Sequence, residues 1–362
     1  MDSQNKSSHR IRVSFYGFLI LLILIIELTI FIKRDDQITL DYTDFQNSVD
    51  KYLEGKEFNG AVLIAQRGNI IVNKGYGMAD LEQSIPNNSD TVFRVGSFTK
   101  QFTAMAILLL QEEGLLNVQD PISKYINGYP DGDAMTIAHL LTHTSGTPQN
   151  QEVVTSSGDI EEIIEQNKKK PLDFKPGDQF AYSNTGYGIL GYIIEQVSQM
   201  TYEQYLQKNI FDKVGMSSSG IEHKEYKVFE NRAWGYTKFE QGNTKKEPFF
   251  LNYNSAAGLY TNTHDLFLWD QMLYKDDVFS KELIESMYTD YGKGYGYGWF
   301  INKDNQQRTI YEHSGIVYGI VSNIVRYPEE QALIIVIRNV VPPKLHDDKV
   351  QTDLAKMLFE LE

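Results

Sequence analysis

Alternating and clustered hydrophobic positions in the first part of the chain predict a helix followed by two paired strands. A helix is expected from about Tyr42 to Leu53. Two strand patterns come next, Gly60 to Gln66 (GAVLIAQ) and Asn69 to Gly77 (NIIVNKGYG). The pair Arg67-Gly68 between them is a turn signal. We therefore expect a β-hairpin here.

The remaining pattern predicts one long buried helix, a helical middle and a strand-rich last third. Ser97 opens a segment whose apolar part, FTAMAILLLQEEGLL from Phe102 onward, predicts a buried helix that ends at Gly114. The middle, roughly residues 120 to 250, mixes helices with polar loops. Its clearest helices are Tyr187 to Val197 and Tyr202 to Ile210. Strands are expected at Tyr297 to Asn302, Ile316 to Arg326 and Ala332 to Asn339, with a turn at Tyr327 to Glu330 and a closing helix from Val350 to Leu361.

Strands at both ends and helices between them predict an α/β (α+β) fold. One antiparallel sheet would be built from both ends of the chain and flanked by helices, with the mainly helical middle inserted as a second lobe. A cleft between two such lobes is the usual place for a functional site.

The first residues depart from this globular pattern. Val13 to Ile32 is a run of about 20 mostly apolar residues, the length that crosses a bilayer as a helix, and Glu27 is its only charge. We predict a cytoplasmic tail (1–12), a transmembrane anchor (13–32), a linker (33–42) and an outer catalytic domain (43–362). A cleaved signal peptide is the alternative, but no A-x-A-like cleavage site follows the run.

Composition excludes several classes of function. The formal net charge is −14, which argues against a nucleic-acid partner, because such partners favour a basic face. The chain has no cysteine, so disulfides, cysteine nucleophiles and thiolate metal sites are excluded. His139 and His143 have a spacing that could suit a metal, but no H-E-x-x-H glutamate accompanies them, and we interpret both as structural. We expect neither a metal nor an organic cofactor.

The sequence Ser97-Phe98-Thr99-Lys100 is a candidate nucleophile with its base. A serine hydroxyl is a poor nucleophile until a neighbour takes its proton. A separation of three residues on a helix places Ser97 and Lys100 on one face, and burial would lower the pKa of the lysine. The S-x-x-K string alone is weak, since Ser48 and Lys51 match it as well.

Two further motifs add candidate groups. Tyr182-Ser183-Asn184 lies before a predicted buried helix, where a phenol could shuttle a proton and the Asn184 amide could hold a lysine and a substrate carbonyl. In His313-Ser314-Gly315, a strand edge could aim a backbone N–H at an oxyanion. Gly315 could let a substrate approach the backbone, and His313 could donate a hydrogen bond or carry a charge in mild acid.

Taken in order, these motifs resemble those of the serine β-lactamase-related hydrolases. This family includes class C β-lactamases, DD-carboxypeptidases, D-aminopeptidases and related esterases, and its signature is S-x-x-K, then Y-x-N, then K-T-G or H-x-G. Five stretches are similar to family blocks as well: RVGSFTKQFTAMAILLLQEEGLLNVQDPISKY, TIAHLLTHTSG, FKPGDQFAYSNTGYGILGYIIE, SAAGLYTNTHDLFLWDQML and YGYGWFI. The resemblance covers about residues 46 to 340.

The resemblance implies a β-lactamase/transpeptidase-like fold and an acyl-enzyme on Ser97. Lys100 and Tyr182 would share the general-base and acid work, and Asn184 would orient Lys100 and the substrate amide. The backbone N–H groups of Ser97 and Ile316 would form the oxyanion hole. Water would then release the acyl group.

One departure limits what the resemblance implies about the substrate. His313 replaces the lysine of K-T-G, a fixed cation that helps to hold the carboxylate of penicillins and of peptides ending in D-Ala-D-Ala. Arg338 or Asn339 is a further candidate for that carboxylate. The expected substrate is a peptide, ester or β-lactam, with cell-wall peptidoglycan as the best guess. An esterase, a penicillin sensor that stays acylated and a non-catalytic binding module remain alternatives.

Overall fold

A six-stranded antiparallel sheet forms the centre of the structure. In this computed structural model the described residues are 41–148, 160–222, 231–248, 254–343 and 349–361. The elements in chain order are α1 (Thr43–Gly55), β1 (Gly60–Gln66), β2 (Asn69–Tyr76), β3 (Met78–Asp80), β4 (Ile85–Pro86), β5 (Phe93–Gly96), α2 (Thr99–Glu112), α3 (Ile137–Leu141), α4 (Ile160–Asn167), α5 (Asn184–Ser198), α6 (Tyr202–Leu206), α7 (Asp212–Val214), β6 (Gly220–Ile221), β7 (Tyr236–Lys238), β8 (Thr244–Lys246), α8 (Asn254–Ala257), β9 (Leu259–Thr261), α9 (Thr263–Met272), α10 (Lys281–Tyr288), β10 (Phe300–Lys303), β11 (Thr309–Val317), β12 (Ile320–Tyr327), β13 (Ala332–Arg338), β14 (Val340–Val341) and α11 (Val350–Phe359).

The central sheet confirms the expectation that both ends of the chain contribute to one sheet. Its strand order is β10-β11-β12-β13-β1-β2, and the pairing of β1 with β13 runs from Gly60 opposite Arg338 to Gln66 opposite Ala332. Helix α9 packs against β1 and α11 packs against β13. All residues of β1 and β13 are buried. These strands therefore lack the alternation of buried and exposed residues that is typical of a strand with one face in solvent, because helices cover this part of the sheet.

Helix α2 is the buried centre of the helical part. Every residue from Thr99 to Leu110 is buried, because α2 packs against α5, α8 and α10. Its apolar sequence suits a helix surrounded by protein on all sides. The helix ends where predicted, at Gly114, whose φ of +72° lies in the left-handed region that glycine adopts without strain.

Two parts of the predicted element pattern were wrong. The apolar run from 316 to 326 is not one strand, because Tyr318 and Gly319 adopt φ of +34° and +74° and turn the chain between β11 and β12. The middle is also less helical than predicted. It contains the short strands β6, β7 and β8, which belong to two small three-stranded sheets. β6 pairs with β9 and β7 pairs with β14, both distant in the sequence, whereas β8 pairs with its neighbour β7. Strands of two or three residues leave no periodic signal.

The predicted membrane anchor lies outside the described residues. Within the ranges that the structure does describe, no helix combines the length and apolar character that a bilayer crossing requires. The predicted segment 13–32 precedes the first of those ranges.

A buried ion pair should be essential to stability. Arg326 on β12 bonds through Nε to Asp270 Oδ1 at 2.5 Å and through its guanidinium to the Tyr288 hydroxyl, and Asp270 and Arg326 are both 1% exposed. Replacing Asp270 with Asn leaves a buried guanidinium without a counter-charge, which costs about 3–5 kcal/mol. We expect Asp270→Asn to lower the free energy of unfolding by that amount in urea titrations. The exposed Asp276→Asn control should change it by less than about 0.5 kcal/mol, and equal effects of the two substitutions would contradict the prediction.

Candidate active site

Ser97 lies in the connection between strand β5 and helix α2, where the chain turns sharply. Gly96 has a φ of +55°, a conformation that glycine adopts readily. The Thr99 hydroxyl donates to the Gly96 carbonyl at 2.6 Å and accepts from the Leu259 backbone N–H at 2.9 Å. These bonds fix the first turn of α2 against the first residue of β9. Ser97 is thereby held partly exposed directly above a fully buried Lys100.

The Lys100 amine is buried among three oxygen atoms. Its Nζ lies 3.2 Å from Ser97 Oγ, 2.8 Å from Asn184 Oδ1 and 2.8 Å from the Ala256 carbonyl oxygen. Within the described ranges no carboxylate forms an ion pair with Lys100. Burial therefore lowers the pKa of Lys100 well below its usual value, because no carboxylate among the described residues compensates for the lost hydration of the charged form.

The three neighbours of the amine match the needs of an unprotonated lysine. A neutral amine has two N–H donors and one lone pair. The Asn184 and Ala256 carbonyl oxygens accept the two N–H groups at equal distances of 2.8 Å. The lone pair is then left for the longer contact, toward the Ser97 hydroxyl. This arrangement can take a proton from Ser97 without first losing one.

Tyr182 completes the group around Ser97. Its hydroxyl is hydrogen-bonded to the Ser97 side chain, and Lys100 Nζ lies 4.8 Å from the centre of its ring. Burial raises the pKa of Tyr182, and the bond with Ser97 opposes that rise only in part. The side chain is therefore a protonated phenol, which can pass a proton on, and not a tyrosinate.

Helix α5 positions Asn184 because its N-cap lies one residue earlier. The Ser183 hydroxyl accepts from the Gly186 backbone N–H at 3.1 Å, which is the bond expected of a capping serine. Asn184 is then the first residue of the helix, with its amide oxygen directed at Lys100. The structure thus brings together Ser97, Lys100, Tyr182 and Asn184, which are separated by up to 87 positions in the sequence.

His313 lies beside this group but is not available as a charged ligand. It is 2% exposed, its Nδ1 lies 2.7 Å from the Ser314 carbonyl oxygen, and its Nε2 lies 3.2 Å from the Tyr295 hydroxyl. Burial lowers the pKa of His313 to about 3; a proton on Lys100 contributes to this lowering, and the Ser314 carbonyl opposes it. Burial among aromatic rings therefore opposes the charge that the sequence suggested for His313 in mild acid.

Gly315 lets strand β5 pack closely against β11, a role that the sequence did not predict. A Cβ on Gly315 would lie 2.0 Å from the Val95 carbonyl oxygen, so only glycine lets β5 approach β11 this closely. A Cβ on Gly96 would lie 3.2 Å from the Ile316 backbone nitrogen. The Ile316 N–H is therefore close to the chain that carries Ser97, and the Ile316 side chain is 68% exposed.

The remaining candidates for carboxylate recognition lie elsewhere. Asn339 is fully buried and donates to the Trp234 carbonyl at 2.9 Å, and its Oδ1 accepts from Asn59 at 2.6 Å. The Arg338 guanidinium lies 4.7 Å from the ring centre of Phe58. Neither side chain is among the contacts of the Ser97 group. Among the described residues, no cluster of side chains suited to holding a metal ion is found either.

This arrangement of serine, lysine, tyrosine and asparagine is that of a serine acyl hydrolase, and comparison with known proteins gives the family. The family model for the β-lactamases matches residues 45–356, so the chain belongs to the β-lactamase family. The fold is that of the β-lactamase/transpeptidase-like proteins, as predicted.

Relatives and solved structures of this family include penicillin-binding proteins. The Bacillus subtilis protein PbpX, named as a penicillin-binding protein, is 32% identical over 295 residues, which covers 79% of this chain and 71% of PbpX. A second penicillin-binding protein of that organism is 30% identical over 312 residues, covering 79% of this chain and 69% of its own length. The octameric penicillin-binding protein homologue from Pyrococcus abyssi superposes with a TM-score of 0.78 at 30% identity, over 89% of this chain and 78% of that one.

Sequence reasoning missed two partners of the site. The Ala256 carbonyl is a backbone group, so the residue type at this position gives no indication that it contacts Lys100. Tyr295 precedes β10 in a glycine-rich segment, GKGYGYGWF, whose tyrosines gave no periodic signal. Its ring packs at 4.8 Å from that of Phe300, and its hydroxyl contacts His313. Only the folded chain shows that this tyrosine belongs to the site.

The neutrality of His313 makes a prediction about stability in acid. The unfolded chain takes a proton on this residue near its ordinary pKa of about 6.5, whereas the folded chain resists until about 3. Between these values the unfolded state binds more protons, so the free energy of unfolding decreases as the pH falls, by up to about 1.4 kcal/mol per pH unit. We expect His313→Gln to reduce this slope in urea titrations between about pH 4 and 7. An unchanged slope would show that His313 is already protonated in the fold.

Proposed function

We propose that this protein is an extracytoplasmic serine hydrolase that works through an acyl-enzyme on Ser97, with a penicillin-binding-protein-like peptidase activity. The DD-carboxypeptidase or D-aminopeptidase type fits best. The observation that carries the proposal is the Lys100 amine, buried without a carboxylate partner in the described ranges and 3.2 Å from Ser97 Oγ. A base placed in this way can activate a hydroxyl at neutral pH.

Acylation begins when Lys100 Nζ takes the proton of Ser97 and Oγ attacks the substrate carbonyl carbon. The negative charge that develops on the carbonyl oxygen is stabilised by the backbone N–H groups of Ser97 and Ile316. When the tetrahedral intermediate collapses, the bond to the leaving group breaks and Tyr182 donates a proton to the departing atom. The Tyr182 hydroxyl then regains a proton from Lys100, which restores the neutral amine.

Deacylation repeats these steps with water as the nucleophile. Water loses a proton to the Tyr182–Lys100 pair and attacks the ester carbonyl, and Ser97 Oγ is the leaving group that is protonated. Asn184 keeps the amine in place throughout, because its Oδ1 accepts one of the N–H groups. Its Nδ2 is free in this role to donate to the amide of a peptide substrate.

The surroundings of the nucleophile and the relatives together support a substrate class. His313 is neutral and buried, so the H-x-G strand supplies no cation for a substrate carboxylate. This favours the peptidase and esterase branches over efficient β-lactamases. The relatives named as penicillin-binding proteins support a substrate from the cell wall, and stem peptides that end in D-alanine are the best candidates.

We place the catalytic domain outside the cell membrane. A cell-wall substrate requires an extracytoplasmic enzyme, and residues 13–32 have the length and hydrophobicity of a signal anchor. The chain would then be a single-pass membrane protein, with residues 1–12 in the cytoplasm and the hydrolase domain from residue 43 onward outside.

Two other activities would use the same residues. A short-chain carboxylesterase would need the nucleophile, base and oxyanion hole but no peptide recognition, and the exposed Ile316 side chain beside Ser97 suits an apolar acyl group. A penicillin sensor would acylate and then release the acyl group very slowly. The difference lies in deacylation, which substrate kinetics can measure.

Removing the base should slow the first chemical step selectively. We expect Lys100→Ala to reduce the acylation rate by roughly 100-fold or more, as is usual for loss of a general base, and Ser97→Ala to abolish it. The second S-x-x-K string supplies matched controls, because Ser48→Ala and Lys51→Ala change the same residue types on the separate helix α1. The measurement is the rate at which a fluorescent penicillin labels the protein covalently, detected as the increase in protein mass. A loss of only a few-fold in Lys100→Ala would give this lysine a structural role.

A substrate panel should separate the three activities. The full-length protein is assayed with D-Ala-D-Ala peptides, D-amino-acid amides, nitrocefin and p-nitrophenyl esters. The Ser97→Ala variant is the blank, that is, the negative control. We expect turnover of at least one D-amino-acid substrate and slow release of β-lactams. Turnover restricted to p-nitrophenyl esters would support the esterase, and stoichiometric labelling without turnover would support the sensor. Full activity in the blank would refute Ser97 as nucleophile.

A further inference from the structure

His143 contacts the chain on both sides of Tyr182. Its backbone carbonyl accepts from the Ala181 N–H at 2.8 Å, and its Nδ1 accepts from the Ser183 N–H at 3.0 Å. Its ring lies against that of Tyr182, with centres 4.3 Å apart and planes tilted by 32°. We propose that His143 is a positioning residue that fixes the hydroxyl of Tyr182 at Ser97; this inference rests on the proton-transfer role proposed above for Tyr182.

The backbone at His143 is held in a conformation that disfavours a side chain. Helix α3 ends in a Schellman motif, in which the His143 N–H bonds to the Leu140 carbonyl and the Thr144 N–H to the His139 carbonyl. His143 occupies the left-handed position of this motif with a φ of +57°. Glycine is usual there, and another residue costs about 1–2 kcal/mol. A bulky residue that persists at such a position points to a use for its side chain.

The side chain also retains an unfavourable feature. His143 is 1% exposed, and because Nδ1 accepts from Ser183, the ring proton must be on Nε2. That N–H has no hydrogen-bond partner among the described residues, and an unsatisfied buried donor costs about 1–3 kcal/mol. Burial lowers the pKa of His143 well below its usual value, and a proton on Lys100 or His313 would lower it further. The ring therefore stays neutral and keeps its acceptor for the Ser183 N–H.

The Ser183 contact links two tasks at one residue. The Ser183 hydroxyl caps α5 and so positions Asn184, while its N–H is held by His143. The Tyr187 hydroxyl donates to the Leu141 carbonyl at 2.9 Å, which ties the next turn of α5 to the same helix end. The end of α3 therefore determines where Tyr182 lies between its two fixed neighbours. A loop that lacked the His143 acceptor would let the phenol move away from Ser97.

Two substitutions at His143 separate the acceptor from the backbone conformation. His143→Gly suits the positive φ but removes both acceptor and ring. His143→Asn tolerates the same φ and places its Oδ1 where Nδ1 was. We expect His143→Gly to reduce turnover of a substrate with a poor leaving group about 10–100-fold, the usual result of misplacing a catalytic group, and His143→Asn to recover most of it. His139→Gln, at the first turn of the same helix, is the matched control and should keep wild-type rates.

The dependence of the turnover rate on the leaving group distinguishes a misplaced Tyr182 from a general loss of activity. One acyl group is presented as an amide or alkyl ester, which must be protonated to leave, and as a p-nitrophenyl ester, which need not be. We expect the His143→Gly defect on the first substrate and a loss of less than about 3-fold on the second, because only the first needs proton donation. Tyr182→Phe should show the same selectivity, and adding His143→Gly to it should cause no further loss. Equal losses on both substrates, or additive losses, would overturn the proposal.

A structural readout keeps the inference separate from the proposed function. If the wild-type protein neither turns over substrate nor labels at Ser97, the proposed function fails, and the crystal structure of His143→Asn or His143→Gly still tests the contact. Displacement of the Tyr182 hydroxyl from Ser97 in His143→Gly, with the wild-type position kept in His143→Asn, supports His143 as the positioning residue. Residues 181–183 in the wild-type position in both variants would refute it. If His143→Gly does not fold, His143→Ala serves in its place for the same comparisons.

Discussion

The packing of this protein is constrained by one buried primary amine, that of Lys100, which has no counter-charge among the described residues. Moving an ammonium ion out of water costs several kcal/mol unless a carboxylate or strong hydrogen bonds compensate, and the described residues offer Lys100 two carbonyl oxygens and a hydroxyl. The Lys100 side chain therefore has the lower free energy when its ammonium group releases a proton. The amine can then keep both N–H groups bonded and direct its lone pair at Ser97, which is what a base must do.

This constraint determines which parts of the chain must meet. The oxygens around Lys100 come from three segments, namely the turn before α2, the first residue of α5 and the short helix α8. Helix α2 packs against both α5 and α8. Thr103 strengthens the second contact, since its hydroxyl donates to the Ser255 carbonyl at 2.6 Å. Dry packing around the helix serves stability, and it also removes the water that would return the proton to Lys100.

The sequence allowed local features to be predicted well and distant partnerships poorly. The hairpin of β1 and β2, the extent of α2 and the shared helical face of Ser97 and Lys100 follow from periodicity and spacing. The position of Tyr182 just before a helix was likewise predicted from the sequence. In contrast, the contact of His143 with Ser183 spans 40 positions, and the reason for Gly315 is a carbonyl on another strand. No periodic pattern carries that information, because it arises only when separate elements pack together.

Burial also couples the bases of the site to one another. A proton on Lys100 would lower the pKa of both His143 and His313, and a proton on His313 would do the same to His143. A proton on one of these residues therefore makes protonation of the others less favourable. Tyr182 moves in the opposite direction and keeps its proton, so the cluster at neutral pH combines an acid with an empty base. An acidic limit of activity is consequently a property of the cluster and cannot be assigned to Lys100 alone.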